Sequence, residues 1–352
     1  MLHIRIPRLT FAGILLSILA VHVQGQVFSA GPVMADRGEK ASGYIIITEG
    51  VDEGTTIPIS VIHGSKPGPV LALIAGVHGY EYPPVTALQN IRREIEPRDL
   101  SGTVIIVHVA NMPSFLKRTI YYSPIDGKNL NREYPGRPDG TASERIAHAI
   151  TTEVIDRADY VVDLHCGDGN EALRPYSYWM RTGKEELDTV TREMVIAFGL
   201  DHIVIDDDRP DDPGESTYTS NTALTRGKPG ITTETGGLGL NDAASIQMAE
   251  DGVWNLMRYL KMLEGTVRMH SGIVWLDRYE VVRSPVTGIF QASVRDGYAV
   301  NEGALLGTLL DLFGNEIGEM RAPFSGIVNY VIATPPISEG EPVAMVSHIK
   351  PD

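Results

Sequence analysis

The chain has 352 residues, 43% of them hydrophobic and 21% charged, enough apolar material for one large core with or without a smaller one. A formal net charge of −15 argues against nucleic acid or an anionic membrane as partner. The single cysteine, Cys166, excludes any intrachain disulfide and reads as a small buried residue rather than a nucleophile.

The N-terminus carries the pattern of a secretory signal. Arg5 and Arg8 precede an apolar stretch at 11–21 that is too short to span a bilayer, and Val23-Gln24-Gly25 offers a cleavage site. Removal of 1–25 and export are expected, to the periplasm in a Gram-negative source; a retained anchor is the alternative. The mature chain would carry a charge of −17, because the two arginines leave and no acid does. Residues 26–66 form a β-rich lead-in, with β-branched runs at 42–48 and 56–63.

From 69 to 264 apolar runs alternate with helical patterns. Strands are expected at 69–76, 103–110, 159–164, 202–206 and 230–234, and helices at 84–94, 143–158, 185–198 and 245–263. Such alternation predicts an α/β domain over 26–264, a mostly parallel doubly wound sheet with helices on both faces. The polar, proline-bearing stretch 206–219 reads as a long surface loop. Beyond 264 the texture becomes all-β, and Ser284-Pro-Val-Thr-Gly288-Ile recurs as Ala322-Pro-Phe-Ser-Gly326-Ile. A compact β-sandwich with twofold internal symmetry over 265–352 is expected. It resembles the biotinyl/lipoyl fold, yet no lysine lies between Met262 and His348, so a swinging-arm role is disfavoured against a scaffold, lid or homo-oligomer assembly role.

The chemistry gathers at strand ends, where open α/β sheets place their ligand sites. His78 and Glu81 follow the run 69–75, and His165 ends the run 159–165 with Asp163 two residues earlier on the same strand face. Two histidines and a glutamate are a ligand set for a catalytic zinc ion with one open position, and suit cobalt or manganese as well. Such an ion lowers the pKa of water and polarises a carbonyl. Asp163 is placed to orient an imidazole, and Glu234, closing the run 230–234, to act as general base. Asn131 and Arg132 lie in a polar loop that could hold a carboxylate, and Arg118 could face an oxyanion. From spacing alone both arginines read better as surface residues making weak salt bridges. His108, His148 and His202 read as structural.

Taken in order, His78-Gly-Tyr-Glu81, Asn111-x-Pro113 with Arg118, Leu130-Asn131-Arg132, Asp163-Leu-His165 and Glu234 resemble the succinylglutamate desuccinylase/aspartoacylase family, a branch of the zinc carboxypeptidase superfamily. The resemblance spans about 40–350. It implies a zinc-carboxypeptidase-like fold, with one zinc ion held by His78, Glu81 and His165 and with Glu234 as general base. It further implies that Asn131 and Arg132 bind a substrate carboxylate and that Arg118 stabilises the tetrahedral intermediate. The expected activity is zinc-dependent hydrolysis of an N-acyl amino acid or a similar small amide. The alternatives are an exported zinc carboxypeptidase acting on short or cell-wall peptides, and an inactive scaffold that binds zinc or a ligand. The further arginine and tyrosine that some members use to read a second carboxylate have no fixed place here; Arg174, Arg181, Tyr176, Tyr178 and Tyr218 are in suitable regions.

Overall fold

The computed structural model describes residues 27–351; the expected signal segment at 1–25 lies outside the described residues. The run Lys66–Ile74 shows why the central strands read as unbroken apolar sequence. Neighbouring side chains of a strand point to opposite faces, and here both faces are covered. Leu71 and Leu73 pack into one core with Leu88, Ile91, Val195, Phe198, Val253 and Leu256 from three helices. Ala72 and Ile74 enter a second core with Ile146 and Ile150 of the helix Ala142–Glu153 and with Ile45, Ile57 and Ile59 of the lead-in strands.

The thirteen-stranded main sheet begins at Glu39–Ile47 and continues through Thr55–His63, Ser101–Val107, Lys66–Ile74, Tyr160–His165, Gly230–Glu234, Tyr176–Met180 and His202–Asp206. Its centre is parallel: Lys66–Ile74 pairs with Ser101–Val107 and Tyr160–His165, and Tyr160–His165 with Gly230–Glu234. The lead-in strands and Tyr176–Met180 run antiparallel to their neighbours on the Ser101–Val107 and Gly230–Glu234 sides. The sheet is therefore mixed.

The sheet does not stop at 264. Val274–Arg283 pairs in parallel with His202–Asp206, and Pro342–Ile349, Gly326–Ile332 and Ala299–Val300 follow outward. A four-stranded sheet, in the order Glu316–Arg321, Leu305–Leu310, Gly288–Ala292 and Pro336–Ile337, packs on this extension through Phe290, Leu306, Leu309, Val328 and Val346. The short strand Glu171–Leu173 pairs with Gly326–Ile332. Chain on both sides of 264 thus shares one hydrogen-bonded sheet.

The helices fall close to their expected places. Tyr82–Glu94 starts two residues early, because prolines in its first turn give up only N–H groups that have no helical partner. Ala142–Glu153 ends before 158, in the tight turn Ile155–Arg157, and the last long helix is Ala243–Tyr259. The expected loop 206–219 instead contains the turn Pro213–Glu215 and leads into a helix, Thr219–Thr225, with Ser216 and Thr219 buried. Met112–Lys117, a single helical turn and a half, the short turn of helix Leu130–Arg132 and the strands Glu171–Leu173 and Tyr176–Met180 also have no counterpart in the sequence expectations.

Candidate active site

His78 and Glu81 follow the carboxyl end of Lys66–Ile74 through a turn that needs glycine. Gly76 has φ 68°. At Gly79 a Cβ would stand 2.3 Å from the Thr119 carbonyl oxygen and 2.5 Å from that of Ser114, so only glycine lets the three backbones pass. Glu81 occupies the cap position of Tyr82–Glu94, but its carboxylate bonds none of the helix N–H groups and turns to the histidines. His165 ends Tyr160–His165 next door.

One ligand atom from each of His78, Glu81 and His165 lies within 4.8 Å of the others. Glu81 Oε1 is 2.6 Å from His78 Nδ1, and Oε2 is 2.7 Å from His165 Nδ1. The second contact is close but misaligned, leaving that buried oxygen without a true hydrogen bond. The far nitrogens have acceptors of their own: His78 Nε2 is 3.1 Å from Asn129 Oδ1, and His165 Nε2 is 3.0 Å from Asp163 Oδ2. When those nitrogens carry the protons, both Nδ1 lone pairs face the Glu81 carboxylate. That repulsion calls for a cation between them, so these three residues fit a divalent metal ion.

The electrostatics agree. Burial works to raise the Glu81 carboxyl, but the charges of His165 and His78 outweigh it and hold it down at about 2. Burial lowers His165, yet Asp163 and Glu81 lift it well above the usual imidazole range. The pocket is built to favour positive charge.

Glu234 stands in the same rung of the sheet as His165 on one side and Tyr176 on the other; Thr232 forms the next like-facing rung with Asp163 and Tyr178. All six therefore present one face. Burial pushes the Glu234 carboxyl well up, with His165 opposing and Glu81 adding to the rise. Asn131 is buried with its amide already engaged. Oδ1 accepts from Thr219 N–H and hydroxyl at 2.9 and 3.0 Å, and Nδ2 lies 3.4 Å from Asp163 Oδ2 and 3.3 Å from His165 Nε2. It braces the second histidine by way of Asp163. Arg132 bonds the Asn131 carbonyl at 2.7 Å and lies over the Tyr218 ring at 4.6 Å.

These residues line a cavity of about 430 Å³, within the range of small-molecule sites. Arg118 is not brought there. It is exposed at the left-handed end of Met112–Lys117 (φ 54°), and its charge reaches Tyr82 instead. Arg174 and Arg181 are also outside the lining, paired with Asp201 and Asp207. Tyr176, Tyr178 and Tyr218 do line it. His108, His148 and His202 do not; His108 bonds Ser60 at 2.8 Å and His202 bonds Asp201 at 2.9 Å. Cys166 lies in the wall, its thiol pushed up first by burial and then by neighbouring carboxylates.

Sequence reasoning missed several wall residues. Arg209 stacks on Tyr218 at 3.9 Å and is held by Asp206 at 2.5 Å. Glu171, pushed up by burial to about 7, sits beside Asp168 and Tyr121. Tyr279, Arg283, Tyr330 and Glu341 come from beyond residue 264. An arginine inside a run of acids gave no sign that it turned inward, and no local pattern links 283 or 341 to 78.

Fold and site together define an α/β protein with a buried His/Glu/His set at the strand ends. Residues 67–260 match the family described as the Succinylglutamate desuccinylase/Aspartoacylase catalytic domain, and the chain belongs to that family. It is 29% identical over 302 residues to the N-alpha-acetyl-L-2,4-diaminobutyric acid deacetylase of Halomonas elongata, covering 83% of this chain and 86% of that protein. Among solved structures, the product-bound ectoine utilization protein EutE of Ruegeria pomeroyi aligns at a TM-score of 0.79 and 28% identity, over 93% of this chain and all of that one (100%). The succinylglutamate desuccinylase/aspartoacylase of Rhodobacter sphaeroides aligns at 0.77 and 25% identity, over 88% and 96%.

Proposed function

We propose that the protein is a zinc-dependent deacylase that hydrolyses the amide bond of an N-acyl amino acid or a similar small carboxylate-bearing amide. The observation that carries this reading is the His78/Glu81/His165 set with Glu234 one rung away, in a cavity whose wall includes Arg132. A zinc ion held by the three would supply Lewis acidity toward the acyl carbonyl and toward water.

The chain's own residues do the rest. Asp163 accepts from His165 Nε2 and fixes that ring, and Asn131 Nδ2 donates to Asp163 in turn. Glu234 takes the proton from the attacking water and returns it to the leaving amine. Burial first, and then the Glu81 and Glu171 charges, raise its pKa, which suits a group that must hold a proton before returning it. Arg132, steadied by the Tyr218 face, offers its fork to the substrate carboxylate. Arg118, exposed and outside the cavity lining, is given no part in this step.

The relatives described above are named for deacetylation and desuccinylation, which supports this reading over the peptidase one. Parallel assays of metal-loaded protein on N-acyl amino acids and on short peptides test it. Turnover of the former and not the latter is expected; the reverse would return the assignment to a carboxypeptidase. We further propose export after cleavage near Gly25, checked by the mass of the secreted chain, and a biotinyl/lipoyl-like type for 265–352.

A further inference from the structure

Among the described residues, one strand edge stands unguarded. Glu39–Ile47 is the terminal strand of the main sheet and pairs only with Thr55–His63 on its inner side. No described backbone group bonds to its outer side. A row of free N–H and C=O groups recruits another strand unless the edge is short, charged, bulged or broken by proline. The other edges carry such guards. The opposite end of the sheet is Ala299–Val300, two residues long, and Glu171–Leu173 has three. The four-stranded sheet ends in Pro336–Ile337, with its proline, and in Glu316–Arg321, with charges at 316, 319 and 321. The hairpin Val27–Ala30 and Val33–Asp36 offers four residues a side. Glu39–Ile47 has nine residues, no proline, and an unbroken register with its neighbour. Its lysine does not guard it, because Lys40 Nζ turns to the Arg92, Arg93 and Ile95 carbonyls at 3.2, 3.2 and 3.0 Å and caps the helix Tyr82–Glu94. Ile45 and Ile47 fill the core on one face, while Tyr44 and Ile46 on the other are 56% and 62% exposed.

We propose that a second copy of the chain covers this edge, the two Glu39–Ile47 strands pairing antiparallel about a twofold axis at Gly43. The strand's own sequence selects this occupant and this register. Gly43 is the midpoint of the strand, so an axis there overlaps its whole length. Residues equally far from Gly43 on either side then stand opposite each other and share a face. Just beyond each end, Arg37 of one copy comes beside Glu49 of the other. An axis at Tyr44 would instead set Glu39 against Glu49, and one at Ser42 would leave Ile46 and Ile47 outside the paired stretch. With the axis at Gly43, Tyr44 lies diagonal to its own copy, and Ile46 lies opposite the alkyl stem of Lys40. Both exposed apolar side chains of each strand thereby gain cover. The cavities stay open, because Thr55–His63 and Ser101–Val107 lie between this edge and the strands that carry the metal set. The inference goes beyond the deacylase reading and does not depend on it.

The test is sedimentation equilibrium of the chain before and after removal of 1–25. At about 10 µM, tenfold above a micromolar dissociation constant, both forms should show twice the mass of one chain. Ile46→Lys sets a second lysine against Lys40 of the other copy and should give the mass of one chain. Its circular dichroism and zinc content should match the parent, because the side chain it replaces is already exposed. Amide hydrogens at 40–46 that point outward should exchange slowly in the parent and rapidly in Ile46→Lys. Arg37→Glu should weaken the dimer by about tenfold, two exposed ion pairs being reversed, and Arg37→Glu combined with Glu49→Arg should restore it. A parent with the mass of one chain would overturn the inference, as would a dimer that survives Ile46→Lys or forms only while 1–25 is attached. A double variant no tighter than Arg37→Glu alone would overturn the pairing about Gly43.

Discussion

Glu81 spends both carboxylate oxygens on imidazoles, and each imidazole is anchored behind by a different polar group. Removing an anchor should therefore loosen the metal without removing a ligand. Asp163→Ala is expected to weaken zinc affinity by about 10- to 100-fold, measured by chelator competition; an unchanged affinity would mean that Asp163 does not steady His165. His108 offers a cleaner pH experiment, because it is neither a metal-set residue nor part of the cavity lining. Burial first, and then the Arg92 charge, lower its pKa to about 4. In the unfolded chain the ring takes its proton near 6.5, so the unfolded state binds more protons between these values. Stability is complete above about pH 6.5 and falls as pH drops toward 4, by up to about 3 kcal/mol. Urea unfolding at pH 4.5 and 7.5 should show a smaller loss for His108→Gln than for the parent.

At the scale of elements, each ligand is delivered by a strand end and a turn. Gly79→Ala places a Cβ against two backbone carbonyls that cannot rotate away, so it should cost about 1–3 kcal/mol and lower metal occupancy together. The helix Ala243–Tyr259 is capped by Asp242, which accepts from Ala244 and Ser245 N–H at 3.0 Å each. Asp242→Ala should lower thermal stability by about 1 kcal/mol and leave zinc affinity alone. The strands and long helices were legible because period and burial agree: 202–206, 230–234 and 185–198 fall where the apolar pattern puts them. Legibility failed where tertiary partners decide. Tyr176–Met180 is a strand because it has Gly230–Glu234 and His202–Asp206 on its two sides. Arg209 turns inward because Asp206 and Tyr218 hold it. Arg118 has the spacing of a site residue, but a left-handed helix end carries it outward.

At the scale of the whole molecule, the sheet crosses residue 264 without a break, and Leu173, Tyr176 and Val204 share a core with Ile327, Tyr330 and Met345. A chain ending at 264 should therefore aggregate or unfold instead of folding alone, and calorimetry of the full chain should show one transition; an active, soluble 26–264 fragment would contradict this. Composition could suggest a second β unit but could not show that it completes the cavity wall. The central claim is a hydrolytic metal site with Glu234 as its base. The most direct measurement pairs zinc content with hydrolysis of an N-acyl amino acid for the parent and Glu234→Gln. The account predicts one zinc ion per chain in both and a turnover lower by about 10²- to 10⁴-fold in the variant. Undiminished turnover in Glu234→Gln, or activity that survives complete removal of the metal, would contradict it.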